Sequence, residues 1–167
     1  EYDTLQNGFR HLMRQAPRIG KRVMSAYLYL LSAYPDQPYG HEPIRNPFVP
    51  EEDQNVLSAP KDIGSADDLQ PKDEVLLDLI DRKIQAGERV IVWVRLDTQE
   101  RLHKLLTEKG FKAAILDRKV PPVQREEWVD KRVREGVKVL ITNSALVETG
   151  LDLNAFTTLV FYNIAFN

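Results

Sequence analysis

The sequence predicts an α/β fold: a parallel sheet flanked by helices on both faces, with a helical N-terminal lead-in. Three observations predict it. From Pro71 onward, an amphipathic helix, a glycine and an apolar strand follow one another three times. Helices between strands imply crossover connections, and crossovers make neighbouring strands parallel. The strands are near-continuous apolar runs, Val137 to Ile141 above all, as fits a strand covered on both faces. Two runs then halt at hydrogen-bonding side chains, Leu159-Val160-Phe161-Tyr162 at Asn163 and Val137 to Ile141 at Thr142-Asn143-Ser144. In open α/β sheets, ligands bind beyond the carboxyl ends of the strands.

Residues 1–34 read as two helical pieces. Tyr2, Leu5, Phe9, Leu12 and Met13 recur at helical spacing up to Pro17, which should break the run. After Gly20, Val23, Met24, Tyr27, Leu30, Leu31 and Tyr34 share one broad face, a stripe expected to meet a packed neighbour. Arg14, Arg18, Lys21 and Arg22 cluster at the junction and read as a solvated face, with a nucleic-acid contact as the alternative. Residues 35–70 lose periodicity, and six of the ten prolines lie there, so they read as a proline-rich connector. Residues 71–167 form the α/β domain.

Within that domain Pro71 suits a first helical position. Val75, Leu76, Leu79, Ile80 and Ile84 give the apolar stripe of the first helix, and Asp73, Glu74, Arg82 and Lys83 complement its dipole. Gly87 closes it before the strand Arg89 to Val94. Thr98 is placed as the N-cap of the second helix, which Gly110 closes before Ala113 to Leu116. Pro121-Pro122 precede the third, which Gly136 closes before Val137 to Ile141. Glycine at each end supplies the left-handed cap.

The chain has 167 residues, 43% hydrophobic and 29% charged, the balance of a globular domain with an extension. A formal charge of −2 gives no global attraction to a polyanion, so any such site must be a local patch. No apolar run approaches a membrane span and no signal peptide is visible; the expected location is cytoplasmic or nucleoid-associated. The chain has no cysteine, which removes disulfides and thiolate metal sites. His11, His41 and His103 are scattered and read as surface residues, so no metal site is expected. There is no Ser-His-Asp grouping, no GxxxxGK[ST] loop and no GxGxxG fingerprint. Because the sequence begins at Glu1 rather than Met, it is expected to be a piece of a longer protein.

Parallel strands align their carboxyl ends, so their polar tips should share one edge. Those tips are Arg95, Asp97 and Thr98, then Asp117, Arg118 and Lys119, then Thr142, Asn143 and Ser144, and last Asn163. Hydroxyls, guanidinium groups and helix N-termini can all bind phosphate oxygens. As plain residues they are equally ordinary caps and turns.

Taken in order, several segments resemble the second RecA-like domain of superfamily-two helicases. They are Glu88 to Val94, the helix start Gln124-Arg125-Glu126-Glu127, Val139 to Asn143, and Thr149-Gly150-Leu151-Asp152-Leu153. Phe161 to Asn167 and Pro71-Lys72-Asp73-Glu74 with Leu76-Leu77 are similar to segments of the Swi/Snf-type translocases. Asn163 stands where an acid is usual there, and Asp152 follows the broader superfamily.

The resemblance implies a RecA-like, P-loop NTPase-type domain that ends before the sixth helicase motif. Its parent is an ATP-dependent DNA (or RNA) helicase or translocase using ATP and Mg2+. This fragment alone is expected to be inactive, to contribute no catalytic residue and to bind neither cofactor. Thr98, Arg118, Thr142 and Asn143 are implied as nucleic-acid contacts, and Gly150 and Asp152 as parts of the nucleotide cleft. Arg125 is either a further contact or a pin for its own helix. The implied partners are a nucleic acid, through its backbone, and an N-terminal RecA-like domain, with no membrane. The alternatives are a non-catalytic α/β nucleotide-binding module and a protein-interaction module.

Overall fold

The structure is a computed structural model and describes residues 1–50, 55–143, 146 and 151–163. It divides into two compact units, Glu1–Gln70 and Pro71–Asn167.

The first unit opens with α1 (Tyr2–Gln15) and α2 (Pro17–Ala33). The break falls at Ala16, so the second helix begins on Pro17 itself rather than after Gly20. Proline lacks an N–H that a first helical position would leave unpaired anyway. Gly20 is buried inside α2, and a Cβ there would lie 2.6 Å from Met13 Sδ and 3.2 Å from Met13 Cα. Its missing side chain lets the two helices close. Phe9 stacks on Tyr27 with ring centroids 4.8 Å apart, and Leu5, Val23 and Leu30 complete the stripe's core.

The stretch without periodicity contains a short antiparallel ribbon, β1 (Ile44–Arg45) with β2 (Val56–Ser58). Ile44 and Leu57 pack into the helical core, and the Tyr34 hydroxyl donates to the Lys61 carbonyl at 2.6 Å. Residues 35–70 therefore belong to the same compact unit as the helices.

The second unit runs α3 (Pro71–Gln85), β3 (Val90–Trp93), α4 (Gln99–Glu108), β4 (Ala113–Ile115), α5 (Arg125–Arg134), β5 (Val139–Thr142) and β6 (Thr158–Phe161). Three-residue 3-10 turns precede α4 and α5. The strands pair in the order β4-β5-β3-β6, all parallel. Each helix-to-strand turn has the same construction. Gly87, Gly110 and Gly136 take φ of 81°, 84° and 87°. The next amide then bonds back into the helix, Glu88 to Lys83 O, Phe111 to Leu106 O and Val137 to Arg132 O. This is the Schellman closure that glycine permits.

Strand alternation splits the core between two faces. Val90, Val92, Val139 and Ile141 meet Leu76 and Ile80 of α3 and Leu102 and Leu106 of α4. Ile91, Leu140 and Leu116 meet Val129 of α5 and Phe156. β6 differs from the expectation of a core strand. It lies at the edge of the sheet, with Leu159 and Phe161 45% and 63% exposed. Its apolar run reads as central because Val160 and Tyr162 do face the core. No helix among the described residues is long and apolar enough to cross a membrane.

Candidate nucleic-acid interface

With all four strands parallel, their carboxyl ends form one rim, in the order β4, β5, β3, β6. A sheet end exposes backbone groups that the ladder no longer pairs, and buried ones need other partners. The halting side chains supply several of them. The Thr142 hydroxyl donates to Leu116 O at 3.1 Å. Asn143 Nδ2 donates to Val94 O at 3.3 Å. The Arg95 amide donates to Asn163 Oδ1 at 2.9 Å. Each of these bonds runs between segments that leave different strands, so the rim is laced along the sheet.

This lacing sorts the residues named from sequence. Thr142 is fully buried and Asn163 is 6% exposed, so both hold the edge from inside. Thr98 is 3% exposed. It occupies the N-cap position of α4 but makes no side-chain cap bond; its hydroxyl donates to Asp97 Oδ1 at 3.0 Å. Asn143 is half-buried and Arg118 is exposed. Beside Arg118, Lys119 Nζ lies 3.6 Å from Asp117 Oδ2, an ion pair on the same loop. Asp152 is exposed, and its Oδ1 accepts the Asn154 amide at 3.0 Å. Gly150, Thr149, Ser144 and the closing residues 164–167 lie outside the described residues.

Arg125 resolves between its two readings. It is buried, with Nε on Val120 O at 3.2 Å and Nη1 on Leu146 O at 2.8 Å. The side chain therefore ties the start of its own helix to the segment after β5. His41 and His103, read as surface residues, are half-buried. The ring of His41 bonds Gln37 O and that of His103 bonds Ala113 O.

One cluster escaped the sequence reading. Asp73 in the first turn of α3 is fully buried, and it pairs through both carboxylate oxygens with Arg101 of α4. Its Oδ1 also accepts the Tyr162 hydroxyl at 2.8 Å. Burial, then the bond to Asp73, pushes the Tyr162 phenol well above its usual range. Lys72 Nζ sits 4.8 Å over the same ring. A signal was present: Asp73, Leu76 and Ile80 fall at i, i+3 and i+7, so an acid stood on the apolar stripe. Because Tyr162 immediately precedes Asn163, the cluster fixes the end of β6 that clamps Arg95.

Among the described residues, no three His, Asp or Glu side chains converge as a metal site would require, and the sequence has no phosphate loop. An open parallel sheet, covered on both faces and carrying a polar rim at its strand ends, is a doubly wound α/β domain and is consistent with the RecA-like class. Residues 71–167 match the helicase conserved C-terminal domain, and the chain belongs to that family. No curated protein matches the chain in sequence. Family membership makes this a helicase-type motor domain, one that interacts with nucleic acid and works beside an N-terminal domain.

Proposed function

We propose that Pro71–Asn167 is the second motor domain of an ATP-dependent DNA translocase, in the style of the Swi/Snf branch, and that its rim grips a sugar-phosphate backbone. The observation that carries this reading is the common edge to which parallel pairing brings Arg118, Asn143 and Thr98. Arg118 and Asn143 make the direct contacts. Thr142 acts from beneath, by holding the β4 end that presents Arg118, and Thr98 is buried behind the same edge. ATP and Mg2+ would be held in a cleft completed by a first domain that supplies the phosphate loop, with Asp152 contributing from this domain. The bound nucleotide would supply the phosphoryl group, and residues of both lobes would serve to position it and stabilise its charge.

Backbone grip implies weak sequence preference and strong salt dependence. The test is a titration of labelled duplex DNA and RNA of mixed sequence across a salt series. Arg118→Ala should lower the log–log salt slope by about 1, uniformly across sequences. An unchanged slope would remove Arg118 from the interface, and tighter binding of RNA would replace the DNA assignment. The 167-residue chain alone should show no ATP turnover; turnover by it would refute the two-lobe reading.

A further inference from the structure

The closed end of the α1–α2 hairpin carries a charge pattern that helix stability explains only at Arg14, which stands in the last turn of α1. Arg10, Arg14, Arg18, Lys21 and Arg22 lie within thirteen residues, and no acid occurs between Asp3 and Asp36. The rest of residues 1–70 holds ten acids and only two further cations, Arg45 and Lys61. Acids and cations are thus segregated, and all five of these cations are exposed.

Three of the five, Arg18, Lys21 and Arg22, fall at the start of α2, whose first turn contains no acid and whose cap makes no side-chain bond. A helix N-terminus is the positive end of its dipole, so cations there are disfavoured. Like charges are also placed in neighbouring positions, Arg10 with Arg14 and Arg18 with Arg22 at i, i+4. Both arrangements weaken the free helices, and both turn favourable once a polyanion lies across the corner.

An aromatic ring adjoins the patch. Phe48 is half-exposed, and its amide is fixed by Asn46 Oδ1 at 3.1 Å. The Arg18 guanidinium lies 5.0 Å from the ring centroid. An accessible aromatic ring on a hydrogen-bonded backbone, with a guanidinium near it and a run of cations beside it, is the combination that takes unpaired bases and their phosphates together. An acidic polypeptide or a lipid headgroup would use the cations but not the ring.

We infer that the α1–α2 corner and Phe48 form a second nucleic-acid site, selective for a single strand and separate from the strand-end rim. It rests on residues 1–70 alone, so it stands or falls independently of the rim.

The test uses the 167-residue chain and a fluorescein-labelled oligothymidine, followed by anisotropy over a salt series. Arg14→Gln/Arg18→Gln/Arg22→Gln should weaken binding at least about tenfold at low salt and reduce the slope by about 2. Phe48→Ala should weaken oligothymidine binding on the order of tenfold with its slope unchanged, and leave duplex binding nearly unaltered. Circular dichroism checks that the helices persist. Unchanged oligothymidine affinity in the triple variant overturns the site. Equal capture of polyglutamate or of phosphatidylserine vesicles through the same arginines, with no effect of Phe48→Ala, also overturns it in favour of an acidic-protein or membrane surface. Loss of binding in Arg118→Ala with the triple variant intact would support the rim and reject the corner; the reverse would do the opposite.

Discussion

The two compact units use charge in different ways. In Pro71–Asn167 cations stand beside acids: Arg82 is 3.0 Å from Asp78, Lys83 3.1 Å from Glu88 and Arg132 2.6 Å from Glu135, while Arg101 grips buried Asp73. In Glu1–Gln70 the hairpin cations are gathered away from the acids. Paired charge, especially where buried, belongs to the architecture and is costly to disturb. Segregated exposed charge contributes little to the fold and is available to a partner. The contrast can be measured unit by unit, because both tryptophans, Trp93 and Trp128, lie in the second.

The largest effect is expected at Asp73. Replacing it with alanine leaves the Arg101 charge and the Tyr162 hydroxyl in a buried site without their acceptor. Breaking a buried pair from one side costs about 3–5 kcal/mol. Urea unfolding followed by tryptophan fluorescence should show that loss. The hairpin variant Arg14→Gln/Arg18→Gln/Arg22→Gln should change the stability of its own unit by no more than about 0.5 kcal/mol. Similar losses from the two changes would erase the distinction.

Next comes Arg125. Arg125→Ala strips the donors from Val120 O and Leu146 O. One buried and one half-buried carbonyl without partners should cost about 2 kcal/mol. Lysine should recover only part, since it lacks the planar fork that reaches both. An arginine there that is neutral to remove would return Arg125 to the list of nucleic-acid contacts.

Tyr162→Phe should cost about 1 kcal/mol at neutral pH, the worth of one hydrogen bond, and its distinctive signature is alkaline. Burial, then Asp73, raises the folded phenol's pKa, whereas the unfolded phenol ionises near about 10. Between those values the unfolded state binds fewer protons, so stability is intact below about pH 10 and falls as pH rises beyond it. The phenylalanine variant should have the flatter alkaline limb. Equal limbs would mean that Tyr162 ionises in the folded state as easily as in the unfolded one.

Periodicity carried most of the second unit. Gly87, Gly110 and Gly136 announced the three turns, and the residues that halt the strands do stand on one rim. What periodicity could not carry is partnership over distance. Tyr162 meets Asp73 across 89 positions, and nothing near either residue names the other. Thr142 and Asn163 have the chemistry of ligand contacts, and only their burial shows that backbone groups already occupy them. Strand limits moved by a residue or two because the apolar run and its last cross-strand bond continue past the regular strand, as at Val94 and Leu116. The β1–β2 ribbon was hidden for another reason. Strands of two and three residues are too short for alternation to register.

The smallest effect is expected at Glu88, at the opposite end of the sheet from the rim. Its carboxylate accepts the Thr158 hydroxyl at 2.6 Å and the Thr157 hydroxyl at 3.2 Å, and pairs with Lys83. The Thr158 hydroxyl first, and then Lys83, hold its pKa below the usual carboxylate value. A depressed folded pKa stabilises the protein above the unfolded value of about 4.3, and that contribution is lost as pH falls through the folded pKa. Glu88→Gln should therefore flatten the acid limb of a melting-temperature profile slightly and leave nucleic-acid affinity unchanged. If it weakened DNA binding as Arg118→Ala is expected to, paired charge at the amino end of the sheet would serve a ligand too, and pairing would no longer separate structural charge from functional charge.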